Sequence, residues 1–139
     1  MRYSPDTHRA ERQGDRCLLA LAAAIAILEA DRAAPGSGGG LPEALRDYYT
    51  EGACEDLADA LHSITGWPVA VIGDTGGVAG WVHAGVQAPN GDILDADGRH
   101  ERWDWLDSWA KWVDAYGEAF EGYDSEMVDI VPRRYFTSA

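Results

Sequence analysis

Gly52-Ala53-Cys54-Glu55-Asp56-Leu57-Ala58-Asp59-Ala60-Leu61 places a glycine turn and a cysteine directly in front of an amphipathic run. Its apolar residues recur at helical spacing, and Gly66 supplies a stop before Trp67-Pro68. Cys54 is therefore expected in the first turn of a helix. There, unpaired backbone N–H groups and the positive end of the helix dipole favour a thiolate.

Two later residues give Cys54 a chemical context. His83 lies in the strand-like segment 80–86, and Asp95 ends the segment 92–95. A cysteine at a helix start, followed by a histidine and an aspartate on successive strands, can build a nucleophile, a base and an orienting carboxylate.

The segment between these two strands decides whether His83 and Asp95 can meet. Pro89 fits the first central position of a type I turn, and Gly91 fits a left-handed position that closes a three-residue loop. That loop places Ala88 opposite Asp92. A two-residue turn at Asn90-Gly91 is the alternative, and the proline favours the longer loop.

Each loop gives a different register. The three-residue loop sets Gly85 opposite Asp95 and puts His83 diagonally next to Asp95 on the same face of the sheet. Gly85 would then leave room for the His83 ring to lean toward the carboxylate. The shorter turn would pair Val86 with Asp95 and separate the two side chains.

Composition limits the classes of function. The chain has 139 residues, 46% of them hydrophobic, with six tryptophans, which predicts one folded domain over 1–139. Its net charge of −13 repels nucleic acid and anionic membrane surfaces, so neither is an expected ligand. The charge would suit a basic protein partner, or would only keep the protein in solution.

The remaining segments predict an α+β fold with N-terminal helices packed on a small antiparallel sheet. Residues 1–8 are expected to be extended, 9–32 a core helix and 35–40 a flexible glycine-rich connector. A short helix over 42–49 and strands over 68–72 and 127–131 follow. The glycine-rich segment 73–80 is expected to form a lid or rim beside His83, because it lacks the pattern of a phosphate-binding loop.

The tryptophan-rich segment 103–113 predicts a helix. Four aromatic residues can share one face of it: Trp105, Trp109, Trp112 and Tyr116. Aromatic residues at this spacing usually belong to a core, and a wall of a substrate cleft is the less common use.

Two cysteines do not make a disulfide framework. Cys17 lies in an apolar run and is expected to be buried. A Cys17–Cys54 bridge would end the catalytic hypothesis, whereas two free thiols would suit a reducing compartment such as the cytoplasm.

The order of motifs resembles the papain-like and transglutaminase-like cysteine hydrolase superfamily. The matching segments are Gly52-Ala53-Cys54, Trp81-Val82-His83-Ala84 and the run 91–98, so the resemblance covers about residues 50–98. It implies a papain-like or transglutaminase-like core with Cys54, His83 and Asp95 as the catalytic residues. It also implies peptidase, deamidase or acyl-transfer activity on an amide of a protein or peptide, with no cofactor.

The oxyanion site departs from the papain-like pattern, because no glutamine or asparagine precedes Cys54 in the preceding helix or turn. The Cys54 backbone N–H, with a hydroxyl of Tyr48, Tyr49 or Thr50, is a substitute, and Trp81 is a further weak candidate for substrate contact.

Two alternatives remain. A metal site at Cys54, His83 and Asp95, with Asp97 or His100, is disfavoured because the close ligand pairs typical of zinc sites are absent. A non-enzymatic acidic protein that masks a basic surface of a partner is the competing function. His100, like His8, lies in a polar context and is expected at the surface.

Overall fold

The computed structural model describes residues 5–35, 38–74, 81–115 and 128–132, with side chains described over 14–35, 38–73 and 83–111. It shows an α+β architecture, as the sequence predicts. The helices are α1 (Pro5–Ala33), α2 (Glu43–Glu51), α3 (Cys54–Thr65) and α4 (Arg102–Ala115). The strands are β1 (Val69–Asp74), β2 (Trp81–Gln87), β3 (Ile93–Asp95), β4 (Gly98–His100) and β5 (Val128–Pro132).

The five strands form one sheet in the order β4-β3-β2-β1-β5, with every neighbouring pair antiparallel. The predicted antiparallel sheet is therefore confirmed, including its last strand beside β1. The short strand β4 was not expected from the sequence. It follows a tight turn after Asp95 and returns the chain alongside β3.

The β2–β3 hairpin has the three-residue loop that Pro89 predicts. Val86 pairs with Leu94, and the Ala88 N–H donates to the Asp92 carbonyl at 2.8 Å. Gly91 has a φ of 95°, in the left-handed region that glycine tolerates best. This register continues toward Gly85 and Asp95, so His83 and Asp95 lie on one face of the sheet.

Gly85 lies where β2, β3 and α4 approach one another closely. A Cβ built there would lie 2.9 Å from the Ile93 Cγ2 and the Leu94 carbonyl oxygen, and 3.4 Å from Cζ2 of Trp105. Ile93, the Leu94 carbonyl and Trp105 thus lie closest to the space that a side chain would occupy. The glycine lets β3 and the Trp105 indole close over β2.

This close packing predicts that Gly85→Ala destabilises the protein by about 2 kcal/mol, because the new methyl group meets a backbone carbonyl that cannot move aside. Urea unfolding measures the loss. Gly52→Ala is the matched control, since a Cβ at Gly52 meets nothing within 4 Å and the change should stay within about 0.5 kcal/mol. Equal stability of the two variants would contradict the packing.

α3 connects the helical layer to the sheet. Its buried face consists of Cys54, Leu57, Ala58, Ala60 and Leu61. The helix packs against both α1 and β2. Gly66, with a φ of 75°, ends the helix in the left-handed conformation that the stop signal predicts.

α1 is less deeply buried than its composition suggests. It begins at Pro5, so residues 5–8 are helical and not extended. One face is buried through Ala20, Ala24 and Ile27, while Leu18 is 67% exposed. Cys17 is exposed, which corrects the expectation that it is buried, and both cysteines are free.

Within the described part of the chain, no helix combines the length and the apolar character needed to cross a lipid bilayer.

Part of the connector after α1 packs against the β3–β4 turn. Gly39 is buried, and a side chain there would collide with the Ala96 carbonyl of the β3–β4 turn. Arg99 of β4 forms two bonds to the Asp31 carboxylate of α1, at 2.9 and 3.0 Å. Both contacts fix the position of the β3–β4 turn, which begins directly after Asp95. Residues 36–37 of the connector lie outside the described residues, as do 75–80 of the segment expected to form a lid.

α4 covers the face of the sheet opposite to α1 and α3. Trp105 packs with Ile72 and Ile93. The alternate residues Val86 and Leu94 pack instead on the α1 and α3 side.

Trp105 is 1% exposed, and Trp109 is half-buried. These two aromatic residues share a helical face as predicted, while the Trp112 side chain and Tyr116 lie outside the described residues. Trp103 points away from the core and is 65% exposed.

Candidate active site

Cys54 occupies the first turn of α3, as the sequence predicts. Ala53 precedes the helix and supplies no side-chain cap, so the first N–H groups of α3 are not capped by that residue. The thiol is 4% exposed and packs with Val71 and Ala84, one residue from His83 on β2. The start of α3 therefore lies against β1 and β2.

The acidic residues after Cys54 disfavour a thiolate, and one of them is paired with an arginine. Asp56 forms an ion pair of 2.8 Å with Arg16 of α1. Both side chains are accessible to water, so the pair is worth little to stability. It does place a positive charge beside one of the two carboxylates in the first turn of α3.

His83 is 1% exposed and uses one ring nitrogen to bind Asp95. Its Nε2 lies 2.9 Å from Asp95 Oδ2. No hydrogen-bond partner of ordinary geometry is found for Nδ1 among the described residues. Cys54 nevertheless lies close enough to the imidazole to raise its pKa.

Asp95 is the most heavily bonded side chain of the site. Oδ2 accepts from His83 and from the Trp105 indole N–H, at 2.9 and 2.8 Å. Oδ1 accepts from His100 Nε2 at 2.8 Å and from the backbone N–H of Asp97 at 2.9 Å. Four donors on a carboxylate that is 4% exposed fix its orientation and favour its charged form.

The opposite charges of His83 and Asp95 stabilise each other. Burial lowers the pKa of His83, but the hydrogen bond to Asp95, its negative charge and the nearby Cys54 outweigh this effect and raise the pKa to about 9. Burial raises the pKa of Asp95, whereas hydrogen bonds from His100 and His83 hold it well below its ordinary value. At neutral pH the pair is therefore an imidazolium and a carboxylate.

Two indoles of α4 enclose this pair. The Trp109 ring stacks on the His83 imidazole, with 4.2 Å between ring centroids and an angle of 19° between planes. The Trp105 ring lies 5.7 Å from the same imidazole and is tilted. An indole face next to an imidazolium is a favourable cation–π arrangement. The aromatic face of α4 is therefore part of the site as well as part of the core.

A cleft of about 300 Å³ opens beside the pair, between the end of α2 and α4. Its lining combines aromatic, hydroxyl and charged side chains: Thr50, Asp95, Asp97, His100, Trp105, Ser108 and Trp109. Such a mixed lining is typical of sites that bind small polar groups.

The bond between His100 and Asp95 was not predicted from the sequence, which indicated a surface residue or an alternative metal ligand. His100 lies on β4, its side chain is 29% exposed, and it binds Asp95. The signal for it was Gly98, which has a φ of 99°, follows the two-residue turn Ala96-Asp97 and starts β4, so that His100 pairs opposite Ile93.

The weaker oxyanion and substrate candidates are not equivalent. Thr50 lines the cleft, and its hydroxyl donates to the Arg46 carbonyl at 2.7 Å. Tyr49 is buried in the helical core, its hydroxyl lacks a hydrogen-bond partner among the described residues, and its neighbour Tyr48 is 45% exposed. Trp81 begins β2, and its side chain is outside the described residues. Thr50 is thus the candidate whose side chain reaches the cleft.

In the part of the chain that the structure describes, no cluster of three or more histidine, cysteine or carboxylate side chains is arranged to hold a metal ion.

Comparison of the chain with protein-family models, with curated proteins and with solved structures gave no match.

Proposed function

We propose that this protein is a cysteine-dependent hydrolase or acyltransferase that acts on an amide of a protein or peptide. Cys54 is the nucleophile, His83 the base and Asp95 the orienting acid. The observation that carries the proposal is that the buried His83 imidazole interacts with both other residues. Its Nε2 is bound to Asp95, Nδ1 has no hydrogen-bond partner of ordinary geometry among the described residues, and Cys54 lies close enough to the ring to raise its pKa.

The chemistry follows from that arrangement. Because His83 is protonated at neutral pH, the resting site holds Cys54 as a thiolate paired with this imidazolium, and Asp95 stabilises the imidazolium through Nε2. The thiolate then forms a C–S bond to the substrate carbonyl carbon while the carbonyl π electrons move to oxygen. When that electron pair returns, the C–N bond breaks and His83 gives its proton to the departing amine. The product of this half-reaction is a thioester on Cys54.

The second half-reaction releases the acyl group. Water or an amine attacks the thioester, His83 takes a proton from it, and the C–S bond breaks to regenerate the thiolate. Water gives hydrolysis, and an amine gives transfer. The backbone N–H of Cys54, with the hydroxyl of Thr50 from the lining of the cleft, is our proposal for stabilising the oxyanion. A free thiol of this kind would operate in a reducing compartment such as the cytoplasm.

Alkylation by iodoacetamide tests the activated thiolate. Accessibility alone favours Cys17, which is exposed, over Cys54, which is 4% exposed. We expect Cys54 to react roughly tenfold faster than Cys17 at pH 7, because an ordinary thiol is only slightly ionised there. His83→Ala should remove this advantage. Peptide mass spectrometry measures both rates in the same molecule.

A Cys54 that reacts only after unfolding would contradict the proposal and favour the acidic binding protein. Where Cys54 does react, three assays on glutamine-containing peptides separate the possible activities. Ammonia release without amine uptake indicates deamidation, incorporation of a labelled primary amine indicates transfer, and chain cleavage indicates a peptidase. Cys54→Ala should eliminate all three, while Cys17→Ala should not.

A further inference from the structure

A second histidine holds the carboxylate that orients His83. His100 Nε2 lies 2.8 Å from Asp95 Oδ1, while His83 Nε2 lies 2.9 Å from Oδ2. The two imidazoles therefore bind opposite oxygens of one buried carboxylate. They differ in their access to water, since the side chain of His83 is 1% exposed and that of His100 is 29% exposed.

We propose that His100 is a positioning residue, which fixes Asp95 through Oδ1 and transmits its own protonation across that carboxylate to His83. The proposal rests on the proposed function of the triad. Rotation of Asp95 about its Cβ–Cγ bond would move Oδ2 away from His83, and a donor on Oδ1 opposes this rotation. The backbone N–H of Asp97 binds the same oxygen and opposes it as well.

The transmission has an electrostatic basis. When both imidazoles are protonated, two positive charges share the single negative charge of Asp95. Protonation of His100 therefore makes it easier for His83 to lose its proton. The carboxylate is buried, and charge interactions are stronger there than in water. Because His100 lines the cleft, this effect connects the cleft to the buried pair.

The groups around His100 come from each neighbouring element. Burial lowers its pKa, while the hydrogen bond to Asp95 and the charges of Asp95 and Asp97 raise it, and His83 opposes them; the net effect is a raised pKa. Asp97 is itself 3.6 Å from the Arg46 guanidinium of α2. α4 contributes uncharged side chains to this part of the cleft, namely Trp105, Ser108 and Trp109.

Titration of the histidine ring signals by NMR tests the transmission in the intact chain. Each signal is assigned by single substitution of His8, His62, His83 or His100. In the wild-type protein we expect the His83 signals to shift in two steps, one at the midpoint of His100 and one at the midpoint of His83. His100→Gln should lose the first step and keep the second, because the amide still donates to Asp95 but does not titrate.

Positioning is tested by comparing two variants in the Cys54 alkylation assay. His100→Ala should slow the reaction of Cys54 about tenfold, as loss of outer hydrogen-bond partners commonly does, and His100→Gln should restore most of the rate. A single-step His83 titration in the wild-type protein, or equal behaviour of the alanine and glutamine variants, would overturn the proposal. If Cys54 is unreactive in the wild-type protein, the proposed function fails, and the NMR titration still decides the link between the histidines.

Discussion

Asp95→Ala is expected to cost about 3–5 kcal/mol of folding stability, the amount typical of breaking a buried ion pair from one side. The substitution removes the acceptor of four hydrogen bonds at once. It leaves the His83 imidazolium 1% exposed without its counter-charge, and it leaves the Trp105 indole N–H without an acceptor. Urea unfolding at pH 7 measures the loss.

Asp97→Ala is the matched control, two residues along in the same turn. Its carboxylate is 49% exposed and lies 3.6 Å from Arg46, so its removal should cost less than about 1 kcal/mol. Asp95→Asn should fall between the two variants, since the amide group keeps one acceptor oxygen and turns its own N–H groups toward donors. Similar stabilities for Asp95→Ala and Asp97→Ala would show that the buried network contributes nothing specific.

The relation between His83 and Asp95 was predicted correctly because it depends on residues that are neighbours in the sequence. Pro89 restricts its own φ and Gly91 tolerates a positive one, so the loop length follows from two neighbouring residues. Loop length then determines which side chains face each other, because side chains alternate along a strand. The relation between His83 and Asp95 could therefore be predicted from the sequence.

The other bonds to Asp95 depend on the packing of distant elements. Helical spacing indicates that Trp105 and Trp109 share a face, but it does not specify what that face covers. α4 docks so that one indole N–H reaches Asp95 and the other ring stacks on His83. A side-chain period describes a single element and carries no information about its partner.

α1 shows that the hydropathy of a helix does not specify which of its residues are covered by other elements. Its apolar run predicts a helix surrounded by protein, yet Leu18 and Cys17 are exposed in the structure. The small residues Ala20 and Ala24 provide its contact with the rest of the fold instead. Hydropathy alone could not distinguish a covered face from an uncovered one, and this is why the burial of Cys17 was predicted wrongly.

The second large effect is a loss of stability at alkaline pH that depends on His83. Its pKa is raised from 6.5 to about 9 in the folded protein, so folding favours the protonated ring. The resulting stabilisation is fully present below about pH 6.5 and is lost as the pH rises through about 9. A shift of this size corresponds to a loss on the order of 3 kcal/mol. Asp95 acts in the opposite direction, since its lowered pKa makes its contribution disappear in acid.

His83→Gln isolates this contribution, because the glutamine amide can still donate to Asp95 but carries no titrating proton. The difference in unfolding free energy between the wild-type protein and this variant should shrink as the pH is raised from 6.5 to above 9. Other groups that titrate in this range are present in both proteins and cancel in the difference. Cys54→Ala retains the His83–Asp95 bond, so the alkaline loss should persist in that variant. A difference that stays constant with pH would mean that the buried imidazole is neutral, and His83 would then be a poor partner for a Cys54 thiolate.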